Sequence, residues 1–302
     1  MIHMESVESR PRSFVVITPA KDESQYIERT IASMLRQTAR PKKWIIVDDG
    51  SRDSTLEIVK ECARRCAWIV PVAVRRDAER KPGSAEIRAF YVGYDLMRED
   101  DYDFVVKLDA DLELPSDYFE RMLGEFDRDP LLGIASGVFD EMHDGVKCTV
   151  KMPEYHAAGA SKIVRRQCLL DIGGFPLSPG WDTADEIKAQ ARGWRTRHFP
   201  QIHFMHLRPE GQAIGLLRTS SDHGKMYYAY GGGPVFLLFK AIRRMVFGKP
   251  LVLGGVALFF GYVNAAIRNQ SRLVSKAEAN LYRKLLNSQV SAHLTKLSPF
   301  RR

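Results

Sequence analysis

The chain has 302 residues, 45% of them hydrophobic, a length that allows one large domain or one domain with an appendage. Its net charge of +8 is uneven, because the segment from Lys240 to the end has twelve Lys and Arg and one acid, while the preceding residues sum to about −3. A nearly neutral body with a basic end confines any anionic partner to that end, where it would be nucleic acid or a membrane surface. The four cysteines lack zinc spacing and are expected to be reduced.

In the first third of the chain, short apolar runs alternate with segments of helical spacing. Residues 1–12 are polar and charged and are predicted to be a disordered leader. The predicted strands are residues 14–18, 44–47, 68–74 and 104–108, and the predicted helices are residues 24–36, 54–66 and a segment that ends at Leu96. This alternation predicts an α/β fold with a mostly parallel sheet and helices on both faces.

The pattern becomes less regular from Leu131 onward. Strands are predicted near residues 133–139 and 163–165, where they would complete the sheet. Gly173 and Gly174 indicate a turn, and a helix is predicted over residues 183–192.

The last part of the chain is predicted to attach to a membrane. Residues 234–247 are apolar but include three cations, a pattern typical of a helix that lies in the membrane interface. Residues 251–267 carry no charge, and their length is at the lower limit for spanning a bilayer. They are predicted to form a short transmembrane hairpin. A buried soluble hairpin is the alternative, but basic flanks favour the membrane. A basic terminal helix follows, with an apolar stripe for the membrane or the body, formed by Val274, Ala277, Leu281 and Leu285.

Polar clusters follow three of the predicted strands, at residues 19–23, 48–51 and 109–111. Ligands of parallel sheets bind at the carboxyl ends of the strands, so these clusters are expected to form one site. Asp109 and Asp111 suit a divalent metal, Mg²⁺ or Mn²⁺, which takes phosphate oxygens as further ligands. Such an ion stabilises a leaving diphosphate, on which negative charge accumulates. A nucleic-acid partner would leave these carboxylates unexplained, so none is expected.

Asp48-Asp49-Gly50-Ser51 ends the second predicted strand. A carboxylate here can accept hydrogen bonds from a base or a ribose, and the glycine allows close approach of a ligand. The alternative is a turn in which an Asp side chain caps the following helix.

Several segments together resemble family two glycosyltransferases with a GT-A fold. They are Thr18-Pro19-Ala20-Lys21-Asp22-Glu23, residues 33–38, residues 45–51, Asp109-Ala110-Asp111, and Arg165-Arg166 with Ile172-Gly173-Gly174-Phe175. The resemblance covers residues 14–200. It implies a GT-A domain over residues 13–224 and an attachment region over residues 225–302.

The resemblance also implies roles for single residues. Asp49 would contact the base, and Arg88 resembles an arginine that follows a Gly-Ser-Ala turn in the family. The implied nucleotide-sugar-binding residues are Pro19, Ala20, Glu23, Asp49, Arg88, Asp109 and Ala110. Asp109 and Asp111 match the metal motif of the family.

Thr183-Ala184-Asp185 resembles the Thr-Glu-Asp motif of cellulose-synthase-like members, in which the Asp is the catalytic base. Ala184 departs from that motif, so Asp182 and Glu186 are alternative bases. The chemistry needs one carboxylate near the anomeric carbon, opposite the leaving diphosphate, to deprotonate the acceptor hydroxyl. Structural interpretations also exist, with Asp182 or Thr183 as the N-cap and Asp185 or Glu186 as partners of the helix dipole.

The Gln-x-x-Arg-Trp pattern of processive polymer synthases is missing, which predicts transfer of a single sugar. His206-Leu207-Arg208 and residues 218–228 stand in that region. His206 is a candidate metal or diphosphate ligand, although a lone histidine is more often structural. Arg208 or Arg218 could bind diphosphate in a bidentate manner.

A GT-A domain with a short apolar region resembles a reduced cellulose-synthase-like architecture and is similar to archaeal membrane mannosyltransferases. The resemblance implies inverting transfer of mannose from GDP-mannose to a polyprenyl-linked glycan of the N-glycan type. It also implies a place at the cell membrane with the catalytic domain facing the cytoplasm. The alternatives are a polyprenyl-phosphate sugar synthase, a UDP-sugar donor, and a nucleotide-sugar binding protein without catalysis.

Overall fold

The computed structural model describes residues 12–74, 85–98, 100–208, 215–247 and 250–297. The predicted leader therefore lies outside the described residues, apart from Arg12 at its end, which forms an ion pair with Asp127.

The first part of the chain folds as consecutive strand–helix units, as predicted. The elements are β1 (Phe14–Ala20), α1 (Ile27–Leu35), β2 (Lys43–Asp48), α2 (Thr55–Arg65), β3 (Ile69–Ala73), α3 (Ala85–Asp95) and β4 (Phe104–Leu108). β1 pairs in parallel with both β2 and β4, and β2 pairs in parallel with β3. The carboxyl ends of these strands therefore meet at one edge of the sheet.

The second part of the chain adds strands in both directions. Its elements are β5 (Leu112–Glu113), α4 (Tyr118–Arg128), β6 (Leu132–His143), β7 (Val146–Thr149), β8 (Ser161–Arg165), α5 (Arg166–Asp171), α6 (Trp181–Ala191) and β9 (Arg195–His206). The described strands form one sheet in the order β3-β2-β1-β4-β8-β6-β9-β5, with β7 paired to β6.

The prediction of a mostly parallel sheet is wrong for this second part. β8 is antiparallel to β4 and to β6, and the pairs β5–β9 and β6–β7 are antiparallel as well. The physical reason is the connection, because the described chain has no helix between β6 and β8 to return it for a parallel pairing. β6 and β9 are separated by α5 and α6, and they are parallel.

Alternate residues of the central strands pack into two apolar layers, one on each face of the sheet. Val16 and Ile46 face the layer formed with α1, α2 and α4. Val15 and Ile45 face the layer formed with α3, α5 and α6. Buried on both sides, these strands are nearly continuous apolar runs, as expected for the inside of an α/β sheet.

Four helices follow the sheet: α7 (Leu216–Ala229), α8 (Pro234–Phe247), α9 (Leu253–Ile267) and α10 (Lys276–Leu297). They share an apolar cluster with Ala184 and Ile187 of α6. The domain boundary expected at 224/225 lies inside α7. α10 packs on the body, where Tyr282 and Leu286 are buried and Glu278 accepts a 2.8 Å hydrogen bond from Arg192.

α7 and α9 touch through their backbones. A Cβ atom added to Gly224 would lie 2.0 Å from the carbonyl oxygen of Leu258, and one added to Gly261 would lie 2.0 Å from that of Ser221. Both distances are far below van der Waals contact, so only glycine fits at these two positions. The close packing fixes α9 against α7.

α8 and α9 expose apolar side chains. The exposed residues are Val235, Leu238, Ile242 and Val246 on α8, Leu251 and Val252 between the helices, and Leu253, Phe259, Phe260 and Ile267 on α9. Within the described ranges, no helix combines the length and the apolar composition needed to cross a membrane. The predicted transmembrane hairpin is therefore not confirmed.

Candidate active site

Two carboxylates stand at the carboxyl end of β4, at the centre of the sheet. Asp109 follows the last residue of β4, and Asp111 precedes β5. Thr30 of α1 holds the turn between them, because its hydroxyl donates to the carbonyl of Ala110 at 2.7 Å and accepts from the N–H of Leu112 at 3.1 Å. This polar contact between α1 and the loop fixes the direction of both acids.

His206 joins this pair from the end of β9. Leu112 of β5 pairs with His206 in the sheet, which brings the imidazole Nε2 to 3.4 Å from Asp111 Oδ1. Ligand atoms of Asp109, Asp111 and His206 all lie within 4.8 Å of one another. Two carboxylates and an imidazole are a donor set for Mn²⁺ or Mg²⁺ that leaves positions open for phosphate oxygens.

A further carboxylate lies behind the histidine. Oε1 of Glu141, near the end of β6, lies 3.4 Å from Nδ1 of His206. A carboxylate in this place orients a metal-ligating imidazole and increases its basicity. The described residues therefore fit a divalent cation.

The site concentrates negative charge. Burial raises the pKa of Glu23 to about 7, with Asp111 adding to the rise and Arg208 opposing it. Arg208 forms an ion pair with Glu23, and its Nε lies 3.6 Å from Asp111 Oδ2. Burial also raises the pKa of Asp109 to about 7, although Lys107 opposes the rise. A divalent cation or a cationic side chain is needed to compensate these acids.

The predicted nucleotide side lies beside this cluster. Ala20 of β1 pairs with Asp48 of β2, and the N–H of Asp49 donates to the Ala20 carbonyl at 2.8 Å. The side chain of Asp48 accepts from the N–H of Ser51 at 3.2 Å, so Asp48 forms a turn. It does not cap the following helix, because α2 begins after Ser54, its N-cap residue, which forms no side-chain cap hydrogen bond. Gly50 has a φ of +74°, which that turn requires. Pro19 and Ala20 end β1 next to Asp49.

Arg88 is exposed on α3, two residues from the contact that this helix makes with the residues around Asp109. The contact is made by Glu86, which pairs with Lys107 of β4, and Lys107 pairs in turn with Asp109. Lys107 is buried and was not predicted as a site residue. Its only signal in the sequence is a charge inside an apolar strand. The Gly-Ser part of the turn before α3 lies outside the described residues.

The three candidate bases lie on the first turns of α6, in different environments. The helix begins at Trp181 with Gly180 as its N-cap, so the interpretation of Asp182 or Thr183 as N-cap is wrong. Gly180 has a φ of +79°, and a Cβ there would lie 1.9 Å from the hydroxyl of Tyr230. Asp182 is half-buried, whereas Asp185 is 0% and Glu186 1% exposed.

A buried lysine accounts for the burial of Asp185 and Glu186. Nζ of Lys162, on β8, lies 3.0 Å from Asp185 Oδ2 and 3.2 Å from Glu186 Oε1, and it donates to the Asp182 carbonyl at 2.5 Å. Burial alone would lower the pKa of Lys162, but the carboxylates of Asp185 and Glu186 outweigh burial and raise it. Glu186 also accepts from the N–H of Ala157 at 2.7 Å. Asp185 and Glu186 are thus parts of a buried ionic network.

Asp182 lies next to a short segment, Gly159 and Ala160, that hydrogen-bonds to the loop of Asp109 and Asp111. Its carboxylate Oδ2 lies near Gly159, 3.4 Å from the place where a Cβ of that residue would be. The next residue, Ala160, accepts a 2.8 Å hydrogen bond from the N–H of Asp109. Of the three candidate bases, Asp182 is therefore the one that combines partial exposure with a place next to the Asp109 loop.

A mixed α/β sheet that gathers an Asp-x-Asp pair, a histidine and a nucleotide-side aspartate at its carboxyl edge defines the GT-A class of glycosyltransferases. Residues 15–167 match the model of glycosyl transferase family 2, and the chain belongs to that family. The chain is a glycosyltransferase by family. Its fold brings together the polar clusters at residues 19–23, 48–51 and 109–111, whereas Arg165 and Arg166 lie at the other end of β4, where Arg165 pairs with Phe104.

The relatives differ in the sugars that their names state. The chain is 31% identical over 116 residues to poly-beta-1,6-N-acetyl-D-glucosamine synthase of Staphylococcus aureus, a match that covers 38% of this chain and 26% of that protein. The chain thus spans about a quarter of the length of this relative.

Two solved structures show the same fold at low sequence identity. The mannosyltransferase PcManGT of Pyrobaculum calidifontis, in complex with GDP-Man and Mn²⁺, is 17% identical with a TM-score of 0.58, over 97% of this chain and 89% of that chain. TarS of S. aureus, in complex with UDP-GlcNAc, is 17% identical with a TM-score of 0.53. The match covers 86% of this chain and 73% of that chain.

Proposed function

We propose that this protein transfers a single sugar from a nucleotide-sugar donor to a hydroxyl of a lipid-linked acceptor, with inversion at the anomeric carbon. The observation that carries the proposal is the meeting of Asp109, Asp111 and His206 within 4.8 Å at the carboxyl end of β4. These three side chains would hold Mg²⁺ or Mn²⁺, and the ion would neutralise the diphosphate as it leaves.

The residues of the nucleotide side bind and orient the donor. Asp49 accepts hydrogen bonds from the base, while Pro19, Ala20 and Glu23 line the pocket beside it. Arg208 adds a cation next to Asp111, within reach of a diphosphate bound there. Arg88 contributes at the open side of the pocket. These contacts place the anomeric carbon at the metal-binding loop.

Asp182 is the proposed base, in place of Asp185. The acceptor proton must reach a carboxylate that solvent or substrate can touch, and Asp182 is half-buried whereas Asp185 is 0% exposed. Asp182 takes the proton, the acceptor oxygen forms its bond to the anomeric carbon, and the bond from that carbon to the diphosphate breaks. Attack from the side opposite the diphosphate inverts the anomeric centre.

GDP-mannose is the first proposed donor. This choice is supported by the likeness to PcManGT, which extends over 97% of this chain and so includes the helices after the sheet. N-acetylglucosamine is the second candidate sugar, supported by the name of the relative that is 31% identical over 116 residues. A UDP-sugar, as bound to TarS, would accompany the second candidate.

The acceptor and the membrane belong to one proposal. The apolar surface of α8 and α9 would lie in the interface of a membrane, with its helices parallel to the surface, so that a polyprenyl-linked glycan reaches the site from the lipid. The basic residues of the C-terminal region, including Arg268, favour an anionic leaflet. Nucleotide sugars are made in the cytoplasm, so the catalytic domain is proposed to face that side.

Purified full-length protein with GDP-mannose or UDP-GlcNAc, Mn²⁺ and a short-chain polyprenyl-linked acceptor tests this function. We expect radiolabelled sugar to be transferred from one of the two donors, and EDTA or Asp111→Asn to abolish the transfer because the diphosphate then leaves uncompensated. Glu113→Gln, two residues away in a surface ion pair with Arg29, is the control and should retain activity. Full transfer in EDTA would remove the metal from the proposal.

The product of the same reaction tests the stereochemistry. An α-linked donor should give a β-linked product by NMR, and mass spectrometry should show acceptors with one added sugar. An α-linked product would refute inversion, and a ladder of long products would refute single transfer.

Vesicle flotation tests the membrane proposal. The full-length protein should float with vesicles that contain phosphatidylglycerol, and Leu238→Glu together with Phe260→Glu should reduce flotation, because charged side chains resist burial among lipid chains. Leu96→Glu is a matched control, since Leu96 and Leu238 are each 56% exposed and Leu96 lies on the catalytic domain. Equal flotation of both variants would refute attachment through α8 and α9.

A further inference from the structure

α8 carries two of its three cations, Lys240 and Arg244, on the inner side, while Arg243 is exposed. Its exposed stripe, Leu238, Ile242 and Val246, is apolar, with each residue one helical turn from the next. With about 100° per residue, Lys240 and Arg244 lie on the opposite side of the helix, next to the buried Leu237. This is the reverse of the arrangement in an ordinary surface helix, in which cations face the solvent. The inner position of Lys240 and Arg244 therefore requires a physical explanation.

A third basic side chain completes the cluster from α7. Nη1 of Arg244 lies 3.4 Å from Nδ1 of His223, which is on α7. Nζ of Lys240 lies 5.6 Å from the ring centroid of Tyr227, which is also on α7. Lys240 and Arg244 are both half-buried. The three side chains of the cluster line the gap between α7 and α8.

Lys240 and Arg244 lack a carboxylate partner within the described part of the chain, while the charges of Asp222 and Asp182 act on His223. No carboxylate of the described residues forms an ion pair with Lys240 or Arg244. Burial and the neighbouring Arg244 lower the pKa of Lys240 to about 8. Burial, Lys240 and Arg244 together lower the pKa of His223 to about 4. Protonation is thus disfavoured in the free protein, and a bound anion would relieve the cost.

The cluster is within electrostatic reach of the proposed base. Tyr230, the residue that ends α7, places its hydroxyl beside Gly180 at the start of α6. The charge of Asp182 acts on His223 and opposes the lowering of its pKa. An anion held between α7 and α8 would therefore be within electrostatic reach of Asp182, with the exposed apolar stripe of α8 on the far side of the same helix.

We propose that His223, Lys240 and Arg244 form a binding site for a phosphate or diphosphate group, and that this group belongs to the acceptor lipid. The second part rests on the proposed function, because it requires a lipid-linked acceptor. Two cations on successive turns and a neutral imidazole can donate several hydrogen bonds to phosphate oxygens. The lipid chain would follow the apolar side of α8, and the hydroxyl to be glycosylated would lie toward Asp182.

Binding of farnesyl diphosphate to the full-length protein, compared with farnesol, tests the site without any sugar transfer. Farnesyl diphosphate should bind more tightly than farnesol, and Lys240→Gln or Arg244→Gln should weaken it about tenfold, the loss of a charge-assisted hydrogen bond. Arg243→Gln is the matched control, since Arg243 adjoins Arg244 but points to the exposed side. Lys240→Arg keeps the charge and should retain most of the affinity. Its retained affinity would show that residue 240 tolerates substitution as long as the charge remains.

Three results would overturn the proposal. Equal affinity for farnesol and farnesyl diphosphate would show that no phosphate site exists, and unchanged affinity in the Gln variants would place the phosphate elsewhere. The third result concerns the donor, whose binding is measured with GDP-mannose or UDP-GlcNAc and Mn²⁺. If the Gln variants lose donor affinity by the same factor, the cluster serves the donor diphosphate. An absence of sugar transfer in the earlier assay would refute the proposed function and leave this binding result unaffected.

Discussion

Asp182→Asn is expected to lower kcat by about 10²–10⁴-fold, the usual contribution of a general base. Asparagine has nearly the shape of aspartate but cannot take the acceptor proton, so donor affinity should remain. Steady-state kinetics with the donor identified by the transfer assay, together with titration of the nucleotide by calorimetry, would separate the two effects.

Asp185→Asn is the informative comparison. Lys162 would keep Glu186 as a partner, so we expect a lower melting temperature and a smaller loss of kcat at a temperature where the variant is folded. If folded Asp185→Asn loses kcat as fully as predicted for Asp182→Asn, while Asp182→Asn retains it, the base is Asp185. Loss of kcat in both variants, with normal melting of Asp185→Asn, would also contradict the assignment.

Lys162→Met should destabilise the protein by about 3–5 kcal/mol, the usual cost of removing one partner of a buried ion pair. Methionine fills a similar volume, so the loss mainly reports the charge of Asp185, which would remain without its cation, whereas Glu186 would keep its 3.0 Å contact with His156. Denaturant unfolding followed by circular dichroism measures the change in free energy of unfolding.

Lys43→Met is the control for this measurement. Nζ of Lys43 lies 2.8 Å from Asp100 Oδ2, but the side chains are 36% and 40% exposed. Exposed pairs contribute about 0–1 kcal/mol, so the control should change the free energy of unfolding by no more than that. Equal losses in the two variants would mean that the Lys162 network does not stabilise the start of α6.

The sequence was sufficient to predict the parts of the fold that depend on local pattern. β1, β2 and β4 are buried on both faces, so their apolar runs stand out between polar segments. The acids of the metal-binding cluster were predicted for the same reason, because Asp109 and Asp111 directly follow such a run. The alternation of strands and helices over this part of the chain predicted the order of the elements correctly.

Long-range pairing decided what the sequence could not predict. β9 was not predicted, because its residues Arg195–His206 alternate charged, aromatic and histidine side chains without a clear period, and the strand depends on its pairing with β6. The environment of Asp185 depends on Lys162, which is 23 residues away on another element. Nothing near Asp185 in the sequence distinguishes it from Asp182, and the Thr-Ala-Asp triplet favoured the acid that the fold buries.

The C-terminal helices show the same limit. The predicted apolar stripe of the last helix included Leu281, which is exposed, whereas Tyr282 and Leu286 pack on the body. Helical periodicity alone could not choose between these neighbouring positions, because the packing surface is supplied by α6 and α8. The inner position of Lys240 and Arg244 was likewise unpredictable, since a cation within an apolar helix is ordinarily taken to face outward.

The backbone contact between α7 and α9 means that the two helices move together as one rigid unit. No side chain separates Gly224 from the carbonyl of Leu258, or Gly261 from the carbonyl of Ser221. Neither helix can therefore slide or roll past the other without a clash. His223 adjoins Gly224, and Phe260 adjoins Gly261. In the proposed membrane-bound state, any tilt imposed at Phe260, in the middle of α9, would therefore move His223 as well. The depth at which Phe260 settles would then set the height of His223, and the enzyme would discriminate among acceptors by the distance of their reactive group from that surface.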